Sequence, residues 1–124
     1  MKYTIEIPMG IVSENKVRTE HWSKRHKRKS LWKMFVRKEM RHFRMKPADK
    51  NQKFKLSFIH VRPKRSFIKD YDNIVGGCKE LIDSLREEGF IWDDLIELIG
   101  IPMHTQIPGD DKKTIIIRED VEEK

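Results

Sequence analysis

Carboxylates are concentrated in one stretch of a chain that is otherwise strongly basic. Asp70 and Asp72 are separated by one residue and stand at the start of this stretch. The adjacent residues Asp93 and Asp94 stand at its end. Carboxylate oxygens are hard ligands of the kind that Mg²⁺ prefers, and Mg²⁺ held beside a cationic surface is suited to phosphodiester hydrolysis. The sequence therefore predicts a metal-dependent phosphodiester site in this segment.

The charge of the chain is divided unequally along its length. Residues 1–69 hold 21 Lys/Arg against 5 Asp/Glu, a net charge of +16, whereas residues 70–124 hold 6 against 15, a net charge of −9. Either the two parts neutralise each other, or each faces a different partner. Nucleic acid together with a divalent cation would use both parts.

Basic residues form two groups that could hold a phosphate backbone against the acidic segment. One is a dense run at the start of a predicted helix, and the other flanks Asp70 directly. Their density and the charge excess favour phosphate binding over a merely solvated surface. The candidate DNA-binding residues are Lys24, Arg25, Lys27, Arg28, Lys29, Lys64, Arg65 and Lys69.

The composition is typical of one soluble domain that spans residues 1–124. With 124 residues and 37% hydrophobic content, the chain can bury a modest core. Its single cysteine, Cys78, excludes an intramolecular disulfide and a multi-thiolate zinc site, and the five histidines lack metal-ligand spacing. No apolar run approaches the roughly 20 residues of a membrane span, so we expect a cytoplasmic protein without a membrane partner.

Hydrophobic periodicity predicts the elements that position this segment. Apolar and polar residues alternate over residues 2–8 and 53–62, which predicts two strands. After a polar stretch over residues 13–26, apolar residues recur every three or four positions from Lys27 to Arg44, which predicts a helix. The apolar run Leu95–Met103 predicts a central strand, residues 112–118 predict a final strand, and residues 119–124 are expected to fray. The order β-α-β-α-β-β indicates an α/β (α+β) domain with two helices on a mixed sheet.

A second helix is expected immediately after the first two aspartates. Asp72 or Asn73 would cap it, and Gly89 would end it. Its predicted buried stripe comprises Ile74, Cys78, Leu81 and Leu85. Alternate residues of an extended segment point the same way, so both carboxylates could converge on one cation.

Two adjacent glycines lie within this helix, where each costs roughly 1 kcal/mol relative to alanine. One interpretation is that Gly76 leaves room for a phosphate backbone to approach the metal. The other is that Gly76 and Gly77 precede a helix that starts near Lys79. The sequence favours neither.

The spacing of the acidic segment resembles that of a known nuclease family. The pattern comprises Asp70-Tyr71-Asp72-Asn73, then Lys79, then Asp83-Ser84-Leu85, then Gly89 through Asp93-Asp94. It resembles the RusA family of Holliday junction resolvases, in a longer variant that places three further residues before the lysine. The basic N-terminal segment SENKVRTEHWSKRHKRKSLWK is also similar to that family's, and the resemblance extends from Tyr3 to about Ile117.

The resemblance implies a homodimeric endonuclease that resolves four-way DNA junctions by paired nicks, with Mg²⁺ as cofactor and Mn²⁺ as a substitute. It implies that Asp70, Asp72 and one of Asp93 and Asp94 bind the catalytic metal, with Asp94 favoured. It also implies that Lys79 contacts the scissile phosphate. The alternative for Lys79 is an i,i+4 ion pair with Asp83, whose own role is expected to be structural.

Two other functions remain open from the sequence. One is a non-catalytic phage DNA-binding protein that uses only the basic part of the chain. The other is a less selective endonuclease for branched DNA. The presence of all the motif aspartates argues against the first function, because carboxylates repel phosphates and would not help a protein that only binds DNA.

Overall fold

Alternating apolar residues build the strands of this protein, and helical spacing of apolar residues builds its longer helices. In the computed structural model, which describes residues 1–121, the elements are β1 (Lys2–Ile7), α1 (Glu14–Thr19), α2 (Trp22–His42), β2 (Phe54–Arg62), a 3₁₀ turn (Lys64–Ser66), α3 (Tyr71–Gly77), α4 (Lys79–Glu87), α5 (Ile96–Ile99), β3 (Met103–Pro108) and β4 (Lys113–Asp120).

The strands form one mixed sheet in the order β1-β4-β2-β3. Strand β4 is antiparallel to both β1 and β2, and β2 is parallel to β3. One row of side chains crosses the sheet, because Ile5 faces Ile116, Ile116 faces Phe58, and Phe58 faces His104. The first three are fully buried, so this row lies on the face that the helices cover.

The core lies between that face and the helices α2 and α4. Helix α2 buries Trp32, Val36 and Met40, and α4 buries Leu81 and Leu85. Burying one large apolar side chain contributes roughly 1.5–3 kcal/mol, so these contacts fix both helices on the sheet. No helix within residues 1–121 is both long and apolar enough to cross a membrane.

The predicted fold class is confirmed: the chain forms a single α+β domain with a mixed four-stranded sheet. The predicted buried stripe of the second helix is confirmed as well. More helices form than the two that we predicted. Of the segment expected to fray, Glu119 and Asp120 belong to β4, and residues 122–124 lie outside the described residues.

The prediction of a central strand over Leu95–Met103 is wrong. The run forms the single turn α5, whose Leu98 and Ile99 pack into the core, and Gly100 then adopts a φ of +62°. Strand β3 begins only at Met103 and lies at the edge of the sheet. A continuous apolar run does not distinguish a buried strand from a buried helical turn, which is why the pattern misled.

The first helices begin earlier than the apolar spacing predicts. Helix α1 forms within the stretch predicted to be irregular, and α2 begins at Trp22, five residues before Lys27. The ring of His21 caps α2 by accepting a hydrogen bond from the backbone N–H of Ser23 at 3.2 Å. Because the first turns of α2 face solvent, they carry no apolar periodicity by which the sequence could reveal them.

The second predicted helix is interrupted at Cys78, between α3 and α4. Both glycines are themselves helical, and packing against the N-terminal segment explains them. A Cβ atom on Gly77 would overlap the backbone oxygen of Val12, and one on Gly76 would overlap the side chain of Glu14. The Glu14 side chain occupies the space beside Gly76, so helix packing accounts for this glycine, and the approach of a phosphate there stays a prediction. The alternative is right only in that α4 starts at Lys79.

Candidate functional site

The first carboxylate pair stands at the start of α3. Asp70 is extended, with a φ of −101° and a ψ of 121°, and its Oδ1 accepts a hydrogen bond from the backbone N–H of Asp72 at 2.9 Å. Asp70 is therefore the cap of this helix, where we had predicted Asp72 or Asn73. Both carboxylates are exposed, and capping leaves Oδ2 of Asp70 and the whole carboxylate of Asp72 available to a ligand.

The second carboxylate pair, Asp93 and Asp94, is joined by a hydrogen bond and lies beside Arg86. Oδ1 of Asp93 accepts a hydrogen bond from the backbone N–H of Asp94 at 2.7 Å. Nη1 of Arg86 lies 4.0 Å from Asp93 and 3.7 Å from Asp94. The backbone hydrogen bond lowers the pKa of Asp93, whereas the hydrogen bond with the Asp93 side chain raises the pKa of Asp94.

Arg86 is a site residue that sequence reasoning missed. It also lies 3.8 Å from Asp83, three residues earlier on α4. The signal in the sequence was this i,i+3 spacing, which places both side chains on one face of a helix. Asp83 is thus paired with Arg86, and the predicted ion pair between Lys79 and Asp83 is not formed within the described residues.

Lys79 is exposed at the first residue of α4 and contributes to two cavities. One lies between α1, α2 and α4, where Lys79 shares the wall with Arg25 and Lys29. The other is lined by Lys79, Asp94 and the apolar residues around α5. Lys79 therefore stands between the basic start of α2 and the second carboxylate pair.

The donor chemistry of the four aspartates suits Mg²⁺, and their arrangement supports a site of two protein ligands. No three of these carboxylates approach within 4.8 Å of one another in residues 1–121. Asp70 and Asp94 line different cavities. Mg²⁺ is usually bound by one or two carboxylates together with water and substrate phosphate. Asp70 and Asp72, two residues apart and both exposed, are the candidates for such a pair, whereas the structure does not bring Asp94 into the same group.

A different group does converge, and the sequence did not predict it. His60, Cys78 and His104 place one ligand atom each within 4.8 Å of the others. Adjacent strands bring the histidines together, so that Nε2 of His60 lies 3.0 Å from Nδ1 of His104. Nitrogen and sulfur ligands suit zinc or copper better than Mg²⁺. Burial is the main cause that lowers the pKa of His60 to about 3, and it lowers the pKa of His104 and raises that of Cys78, so burial favours the neutral form of each side chain.

The predicted DNA-binding residues separate into paired and unpaired cations. Arg28 is only 12% exposed and is held by Glu20 and Glu80, and Lys29 lies 3.2 Å from Glu87. These two are engaged within the fold. Among residues 1–121, ion pairs involve none of the other predicted cations, all of which are exposed: Lys24, Arg25, Lys27, Lys64, Arg65 and Lys69.

The unequal charge distribution is explained partly by contact between helices α2 and α4. Lys33 lies 3.0 Å from Glu87, and Arg37 lies 2.7 Å from Glu88. Arg28 and Lys29 on the same helix likewise pair with Glu80 and Glu87. The acidic face of α4 therefore neutralises the middle of α2. The exposed cations Lys24, Arg25 and Lys27 at the N-terminal end of α2 take part in none of these ion pairs.

Comparison with known proteins adds no relative: no model of a known protein family matches the chain, and no curated protein matches it.

Proposed function

We propose that this protein is a Mg²⁺-dependent endodeoxyribonuclease that acts on branched DNA and resolves four-way junctions by paired nicks. The observation that carries the proposal is the exposed pair Asp70 and Asp72 at the start of α3, in a protein whose surrounding surface is cationic. The resemblance of the acidic segment to the RusA family supports the same activity.

Asp70 and Asp72 would hold the ion, Asp70 through the oxygen that does not cap α3. Bound Mg²⁺ would supply an acidified water and neutralise a phosphoryl oxygen. Lys79 would hold a non-bridging oxygen of the phosphate as negative charge develops there. Asp94 lines a different cavity, so it would join this site only by moving toward Asp70 and Asp72, and Arg86 beside it favours the deprotonated form that binds a metal.

The unpaired cations define the surface proposed to bind the DNA arms. Lys24, Arg25 and Lys27 lie at the exposed end of α2, and Lys64 and Arg65 lie on the 3₁₀ turn before the acidic segment. Phosphate contacts of this kind position the nucleic acid without reading its sequence. Recognition of branch shape, rather than of bases, fits such a surface.

A homodimer belongs to the same proposal. A four-way junction is symmetric, and two equivalent active sites follow from a twofold dimer of one short chain. Large apolar side chains are exposed next to Asp94, with Ile96 68% and Ile101 82% exposed. Exposed apolar clusters of this kind are typical of contact surfaces between proteins.

The test is cleavage of a synthetic four-way junction beside linear duplex, flap and three-way substrates, each with Mg²⁺, with Mn²⁺ and with EDTA. We expect symmetric paired nicks in the junction with either metal and no cleavage in EDTA. Equal cleavage of all branched substrates would support the less selective endonuclease. Binding without cleavage under every condition would support the non-catalytic DNA-binding protein.

A further inference from the structure

A cationic cavity has Asp70 in its wall. It has a volume of about 330 Å³ and is enclosed by the segment before α1, the end of β2 and the residues that lead to α3. Its charged and amide-bearing lining consists of Lys16, Arg62, Lys69, Lys112, Asp70 and Asn73. Four cations thus share one small space with a single carboxylate.

Arg62 supplies a fixed positive charge at the base of this cavity. It is only 6% exposed, its Nη1 donates a hydrogen bond to the backbone oxygen of Ile11 at 3.0 Å, and its buried Nε has no partner. A buried donor without a partner costs roughly 1–3 kcal/mol. A guanidinium held in this way, with donors unused, is suited to an anionic ligand.

The lysines around Arg62 also lack compensating charge. Burial and the nearby charges of Arg62 and Lys16 lower the pKa of Lys112. In the part of the chain that the structure describes, none of the four cations has a carboxylate within 4.0 Å, unlike the paired cations of α2. The positive potential of the cavity is therefore available to a bound anion.

We propose that this cavity binds a phosphodiester group of the DNA strand, next to the phosphate that lies at Asp70 and Asp72. The volume is at the lower end of the roughly 300–1,000 Å³ typical of small-ligand sites, which suits one phosphate with its hydration rather than a large organic ligand. Asp70 on the cavity wall places this phosphate beside the proposed metal site. The inference rests on the proposed function for its choice of DNA as the source of the phosphate.

The test compares Lys16→Gln/Lys112→Gln with a charge-matched control, Lys38→Gln/Lys46→Gln, whose lysines are exposed outside the cavity. Binding of duplex and four-way junction DNA is measured without metal over a range of salt concentrations. We expect the slope of log K against log salt to fall by roughly 0.9 for the lost phosphate contact in the cavity variant. The control variant should keep the wild-type slope when its lysines face away from the DNA. Equal slopes for wild type and cavity variant would overturn the proposal.

A second measurement distinguishes a DNA phosphate from a free anion. Inorganic phosphate is titrated into ¹⁵N-labelled protein, and amide shifts are followed at Ser13, Asn73 and Lys112. Shifts that vanish in the cavity variant, together with the reduced DNA slope, support the proposal. The same shifts with an unchanged DNA slope would make the cavity a site for free small anions and overturn it. If the cavity variant shows the reduced slope but the wild-type protein cuts no branched DNA, the proposed nuclease activity is refuted and the phosphate site in the cavity is still supported.

Discussion

The carboxylate of Glu80 accepts two hydrogen bonds from the guanidinium of Arg28, one from Nε and one from Nη2, each at 2.7 Å. Glu20 accepts two more from the same guanidinium, at 3.0 and 2.8 Å. These bonds raise the pKa of Arg28, and the contact with Glu80 makes the largest contribution. The most basic run of the chain therefore contains one residue that connects three helical segments.

Arg28→Ala should lower the free energy of unfolding by about 2–4 kcal/mol, because it leaves two half-buried carboxylates without a partner. Arg25→Ala, three residues earlier and exposed, should change stability by less than about 0.5 kcal/mol. Urea denaturation of both variants measures the difference. Equal losses would show that the four hydrogen bonds contribute nothing beyond an ordinary surface charge.

Gly77→Ala should destabilise the protein more than Gly76→Ala does. The added methyl group at Gly77 meets a backbone oxygen, which moves only with the segment before α1, whereas at Gly76 it meets a side chain that can turn away in part. We expect a loss of about 1–3 kcal/mol at Gly77, offset in part by the better helix propensity of alanine. Thermal unfolding of the pair gives the order, and a more stable Gly77→Ala variant would contradict the close contact with Val12.

Asp72→Asn should abolish junction cleavage and leave junction binding unchanged or tighter. The substitution removes a charge that would bind Mg²⁺ and that repels phosphate. The hydrogen bond from the backbone N–H of residue 72 to Asp70 is retained. Asp111→Asn, in the exposed turn before β4, is the matched control and should cut normally. Wild-type nicking by Asp72→Asn would remove Asp72 from the metal site.

Lys79→Ala should slow cleavage by a factor of roughly 10²–10³, as for loss of one charge contact in the transition state. Stability should hardly change, because Lys79 is exposed and Asp83 pairs with Arg86 instead. Single-turnover rates, started by adding Mg²⁺ to a preformed complex, separate chemistry from binding. A rate close to that of the wild type would leave Lys69 or Arg65 as the phosphate contact.

His60 should make the protein less stable as the pH falls from about 6.5 toward 3. Burial, with smaller contributions from His104 and Arg62, lowers the pKa of His60 in the folded state to about 3. Between these values the unfolded chain binds a proton that the folded chain does not, so stability falls by up to about 1.4 kcal/mol per pH unit.

His60→Leu tests this dependence directly. Its free energy of unfolding should vary less with pH over the same range, because the carboxylates contribute equally to both proteins. His26→Leu, at an exposed position on α2, controls for the loss of a histidine elsewhere. Parallel pH profiles for wild type and His60→Leu would show that His60 titrates alike in the folded and unfolded states.

Local pattern by itself determined most of the strands and the buried face of the second helix. Alternation in β1, β2 and β4 and the stripe from Ile74 to Leu85 repeat with the period of their own backbone, so they can be read without knowledge of any neighbour. The sequence also located the start of this helix close to Asp70, which is extended as expected, but Asp72, expected in the same extended segment, lies in the first turn of α3.

Only the tertiary structure decided which charges remain available to a ligand. Arg25 and Arg28 are indistinguishable in the sequence, yet only Arg28 meets carboxylates that are brought in from Glu20 and Glu80. Arg62 is the last residue of β2, yet folding buries it beside Lys16 and Lys112, which lie far from it in the chain. Pairing and desolvation depend on distances between residues remote in sequence, and no local period encodes those distances.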